Sequence, residues 1–158
     1  MTTAEDILRA SSSVLLVDWP TRDVPDTLAR AGYDVTVKGG PEPDDYSVHE
    51  VVDDQVVARR TGRPPERAEL VYTQRPLSEL PGILTTATAL GALAIWYQSG
   101  VTDTGTTDGR GCWLPDEQSR QARALVTAAG MAYLDDTYIA DRVRELGISV
   151  QRPEDDQR

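Results

Sequence analysis

Residues 13–37 read SVLLVDWPTRDVPDTLARAGYDVTV, and this stretch decides the fold. Val14-Leu15-Leu16-Val17 is an unbroken apolar run, the pattern of a strand buried on both faces as in a parallel sheet. Asp23 then offers a helix cap, Pro25 fits the first turn, and the apolar positions continue to Gly32, which suits the left-handed residue just past a helix. Tyr33 to Val37 alternates, and Gly39-Gly40-Pro41 stops it. Strand, helix and strand in so short a span form a β-α-β unit, whose crossover makes the two strands parallel.

The same grammar extends in both directions. Thr3 caps a short helix over AEDILRA, broken by Ser11–Ser13. Val48 to Arg60 reads as a hairpin turning at Asp53-Asp54, and Leu70-Val71-Tyr72 is a further strand. A helix from Leu80 or Pro81 to Leu90 leads to a strand over Ala92–Tyr97, then a Gly/Thr/Asp-rich loop over 101–116. A helix over Glu117–Ala129, a strand over Ala132–Leu134 and a helix over Thr137–Leu146 complete the pattern. Alternating strands and helices predict an α/β protein with a doubly wound, five-stranded parallel sheet. Its strands start at Val14, Tyr33, Leu70, Ala92 and Ala132, with expected order 3-2-1-4-5 and the hairpin as a small insertion. One domain is expected over 1–150, with a disordered tail over 151–158.

Composition narrows the chemistry. The chain has 158 residues, 39% apolar and 27% charged, the range of an ordinary globular domain. Acidic residues outnumber basic ones 26 to 16, for a net charge of −10. That field argues against nonspecific nucleic-acid or anionic-membrane binding, but a few local donors still suffice for a small phosphate ligand. Phe is absent, and Lys38 is the single lysine. One cysteine, Cys112, forbids an internal disulfide, and with one histidine, His49, leaves little for a zinc site. The opening MTTAEDIL has neither a basic nor an apolar region of a leader, and no apolar run is long enough to span a membrane. A soluble, cytoplasmic protein is the expectation.

In an open α/β sheet the ligand crevice lies beyond the carboxyl ends of the strands. That rule selects the loops Asp18–Arg22, Lys38–Pro41, Thr73–Pro76, Gln98–Val101 and Asp135–Tyr138. Arg22, Lys38 and Arg75 are candidate phosphate partners; Trp19, Trp96 and Tyr97 are candidate contacts for an adenine or a pantetheine chain. Gln74, Gln98, Ser99 and Gly100 offer polar side chains or close backbone approach. This set suits a nucleotide-type ligand.

Four segments carry a resemblance: ILRASSSVLLVD, AGYDVTVKGG, LVYTQRP, and ALAIWYQSGV with ARALVTAAGMAYLDDTYIA. In this order they resemble the CoA-binding domain family, the Rossmann-like type at the N-terminus of the succinyl-CoA synthetase α-subunit. They cover most of residues 7–146. The resemblance implies coenzyme A or an acyl-CoA at Asp18, Trp19, Arg22, Lys38, Gly39, Gly40, Gln74, Arg75, Trp96, Gln98, Ser99, Gly100 and Tyr138. Adenine would lie near the fourth strand, and phosphates near Arg22, Lys38 and Arg75. The chain departs from the family in three places. The loop Asp18–Asp23 lacks the glycines that usually hold the diphosphate, Gly39-Gly40-Pro41 stands for Asn-Pro, and Tyr138 stands near a usual cysteine.

Each candidate also has a plain structural account. Arg75 can pair with Glu79 one helical turn on, Asp135-Asp136 can cap the last helix, and Arg59, Arg60, Arg63 and Arg67 can be solvated hairpin charge. His49 has no triad pattern around it, and Cys112 has only Arg110 nearby to activate it. No nucleophile with a partnered base, metal-ligand spacing, P-loop or G-x-G-x-x-G occurs. The expected function is non-catalytic binding of CoA or acyl-CoA, as a carrier, sensor or regulator. The alternatives are an NADP(H)-binding oxidoreductase-like domain, since Lys38 would suit a 2′-phosphate, or an interaction module that lost its ligand. A homodimer or a partner protein is compatible with either.

Overall fold

The computed structural model describes residues 2–19, 21–135 and 137–150. Along the chain run α1 (Ala4–Ala10), β1 (Ser13–Val17), α2 (Asp23–Arg30), β2 (Asp34–Lys38), β3 (Tyr46–Val52), β4 (Gln55–Arg60) and β5 (Leu70–Thr73). A 3-10 turn (Leu77–Glu79) leads into α3 (Leu80–Ala89), followed by β6 (Ala94–Tyr97), α4 (Asp116–Ala128), β7 (Ala132–Leu134) and α5 (Ile139–Leu146). The expected tail over 151–158 lies outside the described residues.

The strands among the described residues join one seven-stranded sheet in the order β4-β3-β2-β1-β5-β6-β7. The five strands expected to be parallel are so, but counted along the chain their order is 2-1-3-4-5, not 3-2-1-4-5. The hairpin is the reason. Rather than standing apart as an insertion, it lays β3 antiparallel on β2, pairing Val35 with His49 and Lys38 with Tyr46. That occupies the outer edge of β2, so β5 pairs on the free side of β1, Val14 against Leu70 and Val17 against Thr73. Asp53 and Asp54, at φ 51° and 67°, make the tight β3–β4 turn.

Two apolar layers flank the sheet. Leu16, Val35, Tyr72 and Trp96 face α1, α2 and α5, which contribute Leu8, Leu28 and Ile139. Leu15, Val71, Ile95 and Tyr97 face α3 and α4, which contribute Leu80, Ile83 and Val126. The alternation along each strand sends successive side chains to opposite layers, so the short strands are buried on both faces. α1 is held by the expected Thr3 cap: Asp6 N–H donates to Thr3 Oγ1 at 3.1 Å, and Thr3 N–H to the Asp6 carboxylate at 3.0 Å.

Two other caps differ from expectation. Asp23 is the first residue of α2 and makes no cap bond; Thr27, Tyr138 and Arg144 all donate to its carboxylate. Before α5, Asp135 accepts instead from Ser119 Oγ at 3.1 Å, and Asp136 lies outside the described residues. The first N–H of α5, from Ile139, donates to Gln98 Oε1 at 3.3 Å. A side chain from the end of β6 thus does the capping that local sequence assigned to an aspartate.

Candidate functional site

The switch point of this sheet falls between β1 and β5, where the crossovers change sides. Arg75 bridges it: Nη1 donates to Asp18 Oδ2 at 3.3 Å, while Nε and Nη2 reach the Glu79 carboxylate at 3.1 and 2.6 Å. The i,i+4 pair with Glu79 is the structural account the sequence offered, and Asp18 joins it. These hydrogen bonds raise the Arg75 pKa and hold the Glu79 carboxyl below its usual range. All three groups remain substantially exposed, so solvent screens the pairs and they contribute little to stability.

Asp18, Lys38, Gly39, Gly40 and Arg75 line one cleft of about 320 Å³, with Val17, Pro41 and Glu79. Five of the candidate residues therefore meet at the ends of β1, β2 and β5. Lys38 has a different standing from Arg75. Its Nζ donates to the neutral Gly40 carbonyl at 2.7 Å, and it forms no ion pair within 4 Å among the described residues. A phosphate at the cleft would meet an ammonium whose charge no carboxylate contact has claimed, beside an arginine that could exchange one carboxylate for it. The lining sets Lys38 and Arg75 against Asp18 and Glu79, so an anion there would have to draw Arg75 from a carboxylate.

Next to the cleft, Asp18 adopts φ 66°, and its carboxylate accepts from Trp19 N–H at 2.9 Å. Trp19 packs on the core edge-on to His49, with ring centroids 6.0 Å apart, and a Cβ on Gly39 would sit 3.4 Å from its ring. Burial holds the His49 pKa below its usual value. Arg22 is largely exposed and pairs loosely with Asp26 at 3.7 Å, away from the cleft. The N-terminus of α2, where the family's loop would hold a diphosphate, carries the Asp23 carboxylate clasped by Arg144 at 2.8 and 3.2 Å. That anion opposes a second one at the same place.

The other half of the carboxyl edge is filled. Trp96 is fully buried in the α1/α2/α5 layer, and its Nε1 donates to Thr137 O at 3.0 Å, so an adenine does not reach it as folded. Tyr97 lies in the opposite layer, its hydroxyl donating to Arg75 O at 2.8 Å. Gln98 is also fully buried, holding Ile139 N–H with one end and donating to Cys112 Sγ at 3.4 Å with the other. Ser99 Oγ bonds to Val101, and Gly100 sits at φ 74° with the Gln74 amide against the position a Cβ would take. Residues 101–113 fold back over this end: Gly100 N–H donates to Gly111 O, and Trp113 N–H to Val101 O, each at 3.0 Å. Tyr138 donates to Asp23 at 3.1 Å, contacts Thr21 at 3.1 Å and lies under the Arg110 guanidinium at 4.5 Å. Arg110 and Arg144 also bind Asp141, closing the network.

Sequence reasoning placed Pro41 in a selected loop but did not place Val17 in the cleft, nor the face of α3 beside it. The signal for the latter was Gly82, an isolated glycine in an apolar helical run. The hairpin arginines match their plain account: Arg59 pairs with Glu50, Arg60 with Asp44 and Arg67 with Glu69. No group of three potential metal ligands occurs among the described residues, and no helix there is long and apolar enough to cross a membrane.

The doubly wound sheet thus places a cleft bearing Lys38 and Arg75 at its switch point, where open α/β sheets bind their ligands. A family model described as a CoA binding domain matches residues 17–142, and the chain belongs to that family. Its structure is similar to the crystal structure of Prb, the PH1109 protein redesigned for binding. The two share 20% identity with a TM-score of 0.56, over 96% of this chain and 98% of that one. At that identity the likeness speaks for the fold alone. No curated protein matches the chain.

Proposed function

We propose that this protein binds coenzyme A or an acyl-CoA reversibly, without catalysing a reaction, at the β2-β1-β5 half of the carboxyl edge. The observation that carries the reading is Lys38. It stands at the end of β2 in a family described as a CoA binding domain, its ammonium at a cleft, donating to the Gly40 carbonyl and lying over the Tyr46 ring, with no ion pair within 4 Å among the described residues. Arg75 is the second phosphate partner, and Gly39 and Gly40 let the chain pass close to the ligand. The binding role rests on how the nearby reactive groups are engaged. His49 is packed against Trp19, Asp18 and Glu79 are tied to Arg75, and Tyr138 is tied to Asp23. A carrier, sensor or regulator of CoA status fits such a site.

Calorimetric titration of the purified protein with CoA, acetyl-CoA and NADP⁺ tests this. CoA binds, and Lys38→Ala weakens it about tenfold or more by removing a charge-assisted hydrogen bond. Arg75→Ala weakens it at least as much, because Asp18 and Glu79 lose their cationic partner and their charges then repel the phosphate. Saturation at ~100 times Kd also raises stability by about 2.7 kcal/mol, visible as a higher Tm. Binding of NADP⁺ alone would replace this reading by the dinucleotide one, and binding of none of the three would overturn both.

A further inference from the structure

The phosphate cleft does not end at Glu79. Val17, Lys38 and Glu79 also border a second groove of about 430 Å³, lined further by Leu15, Ser78, Gly82, Ile83 and Thr86. Its floor is the sheet, where Val17 and Lys38 are register partners on β1 and β2. Its wall is the last residue of the 3-10 turn, Glu79, continued by one stripe of α3, where residues 82, 83 and 86 share a helix face. A Cβ built on Gly82 meets nothing within 4 Å, so a larger side chain there has room to extend over the groove.

The two spaces together have a polarity and a length. At one end lies Arg75; beyond the shared Val17, Lys38 and Glu79 the lining is Leu15, Gly82 and Ile83, with the hydroxyls of Ser78 and of Thr86, which donates to Gly82 O at 3.4 Å. Hydroxyls beside an apolar wall suit a chain carrying amides better than a plain alkyl chain. From Glu79 to Thr86 the helix rises about 10 Å, which accommodates the pantoyl and β-alanyl units of a pantetheine arm. The opposite direction along the edge is blocked by buried Trp96 and Gln98 and by the folded loop 101–113.

We infer that the part of the ligand this protein recognises is its phosphopantetheine half. The phosphate lies at Lys38 and Arg75 and the arm lies along α3, while the adenosine half stays largely in solvent. This rests on the CoA reading above and extends it to the whole class of 4′-phosphopantetheine compounds. The thiol or thioester then emerges at the open end of the groove near Thr86.

The test is a calorimetric comparison of CoA, 4′-phosphopantetheine and adenosine 3′,5′-bisphosphate, with wild type, Gly82→Leu and Gly82→Ala. Phosphopantetheine binds within about threefold of CoA, and the bisphosphate at least a hundredfold more weakly. Gly82→Leu fills the groove and weakens CoA and phosphopantetheine tenfold or more, with Tm unchanged or raised because the helix loses a glycine. Gly82→Ala retains binding. Tight bisphosphate with weak phosphopantetheine, or a folded Gly82→Leu protein with unaltered CoA affinity, would overturn this inference and leave the CoA reading standing. Wild-type protein that binds no CoA would overturn the two together.

Discussion

The two halves of the carboxyl edge use similar residues for opposite ends. At β2-β1-β5, Asp18, Lys38 and Arg75 surround a cleft, and their polar contacts are exposed and exchangeable. At β6-β7, Trp96, Gln98 and Tyr138 are buried and their polar atoms are spent on holding elements together. Both sets sit just where strands end. What separates them is whether the following chain turns away, as after Lys38, or folds back, as residues 101–113 do. A strand-end position creates an opportunity for a ligand, and the next loop decides whether the protein fills it with itself.

The comparison breaks most visibly at Trp96. Trp96→Ala removes a fully buried indole and its bond to Thr137 O, and costs about 3–5 kcal/mol in urea unfolding. A loss under 1 kcal/mol would mean that the β6 end is not core. Gln98→Leu comes next. It leaves the Ile139 N–H at the start of α5 without its acceptor, at a cost of about 1–3 kcal/mol. Hydrogen exchange would show α5 fraying first.

Gly100→Ala combines a left-handed backbone with contact on the Gln74 amide, for about 1–2 kcal/mol. Adding Gln74→Ala recovers the contact part and leaves the backbone part, which a double-mutant cycle in urea measures. On the open half the effects belong to binding. Asp18→Asn frees one arm of Arg75 from a carboxylate, so CoA affinity rises severalfold while stability moves by less than ~0.5 kcal/mol. An unchanged affinity would take Arg75 out of the phosphate site.

The smallest effect is the pH dependence. Arg144 hydrogen bonds hold the Asp23 carboxyl below its usual range, and Arg75 hydrogen bonds do the same for Glu79. The unfolded chain takes up these protons first, so their contribution is complete above the ordinary carboxylate pKa of about 4 and is lost as pH falls through the lowered native values. Burial lowers the His49 pKa as well, so stability already declines as pH drops below about 6.5. Urea midpoints from pH 8 to 3 should show a shallow step and then a steeper one. Bound CoA, by drawing Arg75 from Glu79, should blunt the Glu79 share of the second.

Local pattern made most elements legible. The run Val14–Val17, the alternation after Tyr33 and the glycines behind the helices place strands and helices to within a few residues, because burial period and cap geometry are local properties. Strand order was not legible, since nothing within Tyr46–Arg60 says which edge the hairpin will join. Among site residues, Asp18, Lys38, Gly39, Gly40 and Arg75 could be gathered by the rule that strand ends meet. Trp96 and Gln98 obeyed the same rule and ended in the interior, and Gly82 offered only an isolated glycine in a helix.

The sequence by itself determined the β-α-β alternation, the polarity of the strand-end loops and membership in the CoA-binding domain family, all properties of short segments in order. Tertiary structure alone decided that the hairpin takes the β2 edge, that loop 101–113 seals the β6 end, and that the open groove runs along α3. Those outcomes depend on pairing between residues far apart in the chain, where competing arrangements differ by packing that no local pattern records.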